Sequence, residues 1–149
     1  MRIAERGFCA GGLPSVGQGD AGVVAAGAPE SYRVVIARTR TVLASHARMA
    51  TTLVERMVGL LKHSHLEPGA ALIILSCRAI HTCFMRFSID AVFVNQSWEV
   101  VAIRSALPPW RFSPTGWRAV AVVELPAGTV EHTQLAAGDH LLVERVTGP

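Results

Sequence analysis

Charge is scarce in this sequence. Asp, Glu, Lys and Arg make up 17% of its 149 residues, against about 25% in ordinary soluble domains. Half of the chain (50%) is hydrophobic, so enough apolar surface is available for a core and wholesale disorder is excluded. The charge present is not gathered anywhere. Residues 1–42 hold five Arg against three acids, and residues 43–149 hold nine Lys or Arg against eight acids. A phosphate-tracking surface needs a clustered basic excess, so no nucleic-acid partner is expected. Long apolar runs are missing too. The longest, Ala70 to Leu75, is six residues, whereas a membrane-spanning helix needs about 20. Three cysteines, an odd number, do not make a disulfide framework. Gly7 to Gly22 is interrupted by Pro14, Gln18 and Asp20, unlike the apolar stretch of a signal peptide. A cytoplasmic location is the expectation. There is no phosphate-cradling glycine loop, no nucleophile elbow and no ligand set at a known metal spacing. Neither cofactor nor metal is expected.

Residues 7–30 hold seven of the thirteen glycines and show no periodicity. Residues 1–31 therefore read as a flexible leader, and 32–149 as one globular domain. Strands are predicted over 32–37 and 41–49. Thr52-Leu53-Val54-Glu55 fits a capping box, and Leu53, Met57, Leu60 and Leu61 follow as one apolar stripe, which predicts a main helix over about 52–63. Pro68-Gly69 marks a turn. Residues 70–76, 79–87 and 89–94 read as strands. Asn95-Gln96-Ser97 turns the chain into a hairpin strand over 98–104. A long loop spans 106–118, a strand 119–125, a short helix about 130–136 and a last strand 140–146. The sum is α+β: a β-rich, strongly bent or barrel-like, mostly antiparallel sheet with one main and one short helix.

Cys77, His81 and Cys83 invite a zinc reading, but on an extended strand the two cysteines stand about 20 Å apart, and zinc draws its ligands to about 2.0–2.3 Å. Small buried thiols beside a hydrogen-bonded His are the plainer account. Asp90 and Glu124 are more informative. Alternation puts Asp90 on the face of Val92 and Val94, and Glu124 on that of Val120 and Val122. A carboxylate among β-branched neighbours is costly to bury unless something compensates it. Arg86, Arg104 and Arg118 are available partners. A structural pair or strand-end cap is one outcome; a pocket-lining carboxylate is the other. The loop over 107–118 carries Trp110, Arg111 and Trp117, which either lid the sheet or grip a planar or anionic partner.

Three stretches in order, Glu55-Arg56-Met57-Val58-Gly59-Leu60-Leu61, His81-Thr82-Cys83-Phe84-Met85-Arg86-Phe87-Ser88-Ile89-Asp90 and Val123-Glu124-Leu125-Pro126-Ala127-Gly128 with Gly138-Asp139 beyond, resemble the bacterial and archaeal family known as domain of unknown function 192. The resemblance covers about residues 42–146. It implies a compact β-rich α+β domain with a distorted barrel and no particular reaction. Met85, Arg86, Asp90, Glu124 and Asp139 match the family pattern. Gly is common there at the Phe84 position, Pro at the Ser88 position and Met where Leu61 stands. A ring in place of Gly is expected to fill space that other members leave open.

The leading expectation is a non-enzymatic binding module for a small molecule or protein, with a groove near the 107–118 loop and binding residues Met85, Asp90, Trp110, Arg111, Trp117 and Glu124. The alternative is an enzyme in which His81 and Asp90 form an acid–base pair and Arg86 holds an anion.

Overall fold

The computed structural model describes residues 30–50, 65–115 and 118–146. Nine strands run through them: β1 (Ser31–Ile36), β2 (Val42–Ala50), β3 (Ala70–Leu75), β4 (Ala79–His81), β5 (Ile89–Val94), β6 (Val100–Leu107), β7 (Phe112–Pro114), β8 (Ala121–Pro126) and β9 (Leu141–Val146). A five-residue helix, α1 (Thr129–Thr133), stands where one was expected over 130–136. It is the only helix among the described residues, which are mostly strand. The main helix expected over 52–63 lies outside the described residues. So does the expected leader, apart from Glu30 and Ser31, the latter already opening β1.

Seven strands form one sheet in the order β6-β5-β8-β3-β2-β1-β9, and β4 and β7 pair separately. All pairings are antiparallel except that of β2 with β3. The barrel is a correction: the sheet is open. Its edge strands meet only at one corner, through the bridge between Glu99 and His140. There Val100 N–H donates to Asp139 O and Leu141 N–H to Trp98 O, at 2.8 and 2.9 Å. Beyond the corner both edges turn polar and exposed, with Arg104 and Ser105 on β6 and Glu144 and Arg145 on β9. Closing the sheet would bury those charges, and charged edges resist pairing.

The curl gives the sheet two apolar faces. One buries Val34, Ile36, Ile73, Val92, Val94, Val123 and Leu125. The other buries Leu72, Ile74, Ile89, Phe93 and Val122 together with Ile80 and Met85 from the 79–88 segment. The central strand β3, predicted as an unbroken apolar run, lies between β2 and β8 and is buried on both faces, Ala71 and Ile73 in one cluster and Leu72 and Ile74 in the other. The predicted strand over 79–87 is shorter than expected. It stops at His81 because the backbone of Thr82 bonds to the 108–111 loop and the chain turns back through Phe84. Part of the 106–118 loop is in turn strand β7.

The Pro68-Gly69 turn closes with Ala70 N–H on Glu67 O at 3.0 Å, and the Gly69 carbonyl accepts from both Ser45 and His46. Gly69 stands at φ 80°, and a Cβ there would come within 2.9 Å of Ser45 Oγ. Gly69→Ala is expected to cost about 1–2 kcal/mol in urea unfolding. Adding Ser45→Ala relieves the contact and not the backbone, so only part of the loss returns.

Candidate functional site

The site is built on Thr82, whose side chain is sealed from solvent. Its hydroxyl donates to Pro108 O at 2.7 Å and accepts from Arg111 N–H at 2.9 Å. Its own N–H donates to Arg111 O at 2.8 Å, and its carbonyl accepts from Trp110 and Met85 N–H at 3.0 and 3.2 Å. One residue thus fastens the 82–85 turn to the 108–111 loop. The last of these bonds makes Thr82 to Met85 a tight turn whose third residue, Phe84, stands at φ 65°, where turns favour glycine. Trp110 is also left-handed, at φ 60°. The two rings meet edge to face with centroids 4.8 Å apart. They are nevertheless 64% and 59% exposed, and Phe112, opposite His81 across the β4–β7 ladder, is 70% exposed. Three solvent-facing rings therefore share one end of the molecule, with exposed His81, Arg86 and Arg111 beside them in the chain. Met85 points the other way and is buried in the core. Trp117 lies outside the described residues.

The ring at position 84, expected to fill space that other members leave open, stands on left-handed backbone and is turned largely to solvent.

Asp90 is fully buried on β5. Its Oδ1 accepts from Ala106 N–H and its Oδ2 from Val130 N–H, both at 2.8 Å. The first bond holds β6 where its register against β5 slips. The second caps α1, whose N-cap Gly128 has no side chain to do so. No arginine takes part. His81, by contrast, is exposed on β4, so the structure does not bring it together with Asp90.

Glu124 is 5% exposed on β8, flanked across the ladder by Leu72 and Ala91. Asp90 pairs with Leu125 and Glu124 with Ala91, so successive rows place the two carboxylates on opposite faces of the sheet. Glu124 Oε2 is buried without a hydrogen-bond partner. Burial pushes its carboxyl up to about 7. Asp139 is the reverse case. It caps Ala136 N–H at 3.0 Å, and the Arg38 guanidinium at 2.9 Å holds its carboxyl below the usual range. Cys77 and Cys83 are free thiols, and the described residues contain no group of three or more side chains placed to hold a metal ion. No helix among them is long and apolar enough to cross a membrane.

The family model of domain of unknown function 192, described as uncharacterized ACR, matches residues 34–143. The chain belongs to this family. A UPF0127 protein of Pyrococcus furiosus is 33% identical over 97 residues, 63% of this chain and 83% of that one. A UPF0127 protein of Thermococcus sibiricus is 31% identical over 98 residues, and the match spans 63% of each chain, so more than a third of that relative lies outside it. A crystal structure from Sinorhizobium meliloti, named a "putative transcription regulator", superposes with a TM-score of 0.66 at 21% identity, covering 76% of this chain and 92% of that chain. That likeness is one of fold. Domain of unknown function 192 is a family of uncharacterised proteins, and the match encloses every residue of the Thr82 hub.

The binding residues expected from the sequence did not include Thr82, Phe84 or Phe112. The one signal for Phe84 was a ring at a position where the family commonly has glycine. Thr82 and Phe112 gave none, because their partners lie 26 to 31 residues away in the chain.

Thr82→Val keeps the shape of the side chain and removes its hydroxyl, leaving Pro108 O and Arg111 N–H unpaired. It should destabilise the protein by about 2 kcal/mol and speed amide exchange at Arg111, which an unaltered exchange rate would contradict. Glu124 gives a pH dependence of definite sign. The unfolded carboxyl titrates near 4.5 and the folded one at about 7, so within that window the folded protein holds a proton the unfolded chain has released. Stability is greatest below the window and falls by about 3 kcal/mol as pH rises through it. In Glu124→Gln this fall should disappear and the variant should exceed the parent in stability at about pH 8, as urea unfolding would measure.

Proposed function

We propose that this protein is a binding module whose contact surface is the Phe84–Trp110–Phe112 patch, and that it takes a short anionic peptide segment of a partner protein. One observation carries the reading: two aromatic residues are held in left-handed backbone and turned to water. Such backbone costs about 1–2 kcal/mol per residue, and neither ring recovers it by burial. Strain without packing return belongs to sites kept for contact with something else. Aromatic rings and arginine are the side chains that most often carry binding energy at protein interfaces.

Charge supports the anionic class. Residues 76–118 contain five Arg and only two acids, Asp90 and Glu99, and Asp90 is buried. Arg111 follows Trp110 directly and Arg86 stands two residues after Phe84. Two arginines around a compact aromatic patch suit a short acidic segment better than a running phosphate backbone, which needs a longer basic track. The acid–base alternative lacks comparable support, since both oxygens of Asp90 are engaged by backbone amides.

Phe84→Gly with Trp110→Gly removes both rings and relieves both backbones, so stability should change by less than about 1 kcal/mol. Dodecapeptides selected on the parent by phage display should be rich in Asp and Glu, lose at least about tenfold in affinity for the double variant, and weaken with salt in fluorescence anisotropy. Equal binding to parent and variant would overturn the proposal. So would a single-stranded dT12 probe that outcompetes the selected peptides at the same patch.

A further inference from the structure

A second surface shares no residue with the aromatic patch. Where β3 and β5 end and β8 begins, a cleft of about 810 Å³ opens between Leu75, Ser76, Arg78, Gln96, Trp98 and Ala121, with Asn95 and Val120 completing its wall. Its size falls in the range of small-molecule sites, about 300–1,000 Å³. We infer that this cleft binds a small organic monoanion with an apolar body, such as an aromatic carboxylate, and that Arg78 reads the charge.

The chemistry of the lining makes the choice. Leu75, Val120, Ala121 and the largely buried Trp98 give an apolar floor. Arg78 is the only charged residue among the described residues of the wall. Its carbonyl accepts both the N–H and the hydroxyl of Thr115, at 3.0 and 2.8 Å, so its backbone is fixed. Its guanidinium, however, takes part in no ion pair or hydrogen bond among the described residues. An unpaired guanidinium over an apolar floor matches a carboxylate, which it can bond bidentately.

The opposite wall is rigid. Asn95 Oδ1 accepts from Ser97 N–H, Ser97 Oγ–H and Glu99 N–H, at 3.0, 2.8 and 3.0 Å, and its Nδ2 donates to Glu99 Oε2 at 2.9 Å. That turn presents the exposed Gln96 amide at the rim. Ser76 and Trp98, on the two sides of the cleft, stand at φ 53° and 61°. Both are non-glycine residues held in a region that side chains avoid, which places local strain on the walls of the cavity.

The probe pair is 1-naphthylacetate and its uncharged isostere 1-naphthylacetamide, titrated by calorimetry into the full chain. The carboxylate should bind about tenfold tighter than the amide. Arg78→Gln, which alters an exposed side chain with no structural bond, should bring the two to equal affinity. Arg111→Gln, at the aromatic patch, should leave the difference intact, so failure here is separable from failure of the peptide reading. Equal affinity of acid and amide for the parent, an unchanged preference in Arg78→Gln, or no saturable binding of naphthylacetate up to about 1 mM would each overturn the inference.

Discussion

A single hydroxyl shut away from water decides the shape of the aromatic patch. Thr82 Oγ1 sits between Pro108 O and Arg111 N–H, while its backbone engages Arg111, Trp110 and Met85. In a sealed environment each of these groups, if left alone, would cost about 1–3 kcal/mol. The two loops are thus held together by the penalty of separating them as much as by the bonds themselves. Because the hub is rigid, it can impose left-handed backbone on Phe84 and Trp110 and keep their rings outside. Met85, in the same turn, goes inward and ties the turn to the core. The alternation of outward ring and inward Met within two residues gives the patch a firm base.

Two acidic residues drew the attention of the sequence, and the structure gives them opposite physics. Asp90 is compensated on both oxygens by backbone amides from distant elements, so its burial joins β5, β6 and α1. Glu124 is uncompensated on Oε2, and burial alone sets its protonation. Alternation foresaw that both would face apolar neighbours. It could not foresee which would find partners, since the amides of Ala106 and Val130 are delivered by a slipped strand register and by a helix start, and neither is written in the residues around Asp90. The arginines that sequence alone offered as partners are taken up by neither carboxylate.

Much of the sheet was legible because its cause is local. β-branched runs and alternation placed β1, β2, β3, β5, β6, β8 and β9 to within a few residues, and Asn95 announced its hairpin because an Asn side chain can bond its own turn, as Oδ1 does three times. Pro68-Gly69 was legible for the same reason. The site was not. The end of β4 and the existence of β7 depend on Thr82, whose partners are 26 to 29 residues away. The openness of the sheet depends on Arg104, Glu144 and Arg145 lying at its two edges, which is a property of strand order and not of any one strand. Phe84 read as a filler of space because the family commonly has Gly there; its left-handed backbone leaves the ring largely in solvent.

The short β4–β7 ladder relates the two surfaces. Its His81–Phe112 end lies at the aromatic patch, and its Ala79–Pro114 end adjoins Arg78 and Thr115 at the cleft. Three paired residues span only about 10 Å, so the patch and the cleft are neighbours on one narrow element that is itself outside the main sheet. The Thr82 hub fixes one end of this ladder and the bonds from Thr115 to the Arg78 carbonyl fix the other, so each surface rests on its own set of hydrogen bonds.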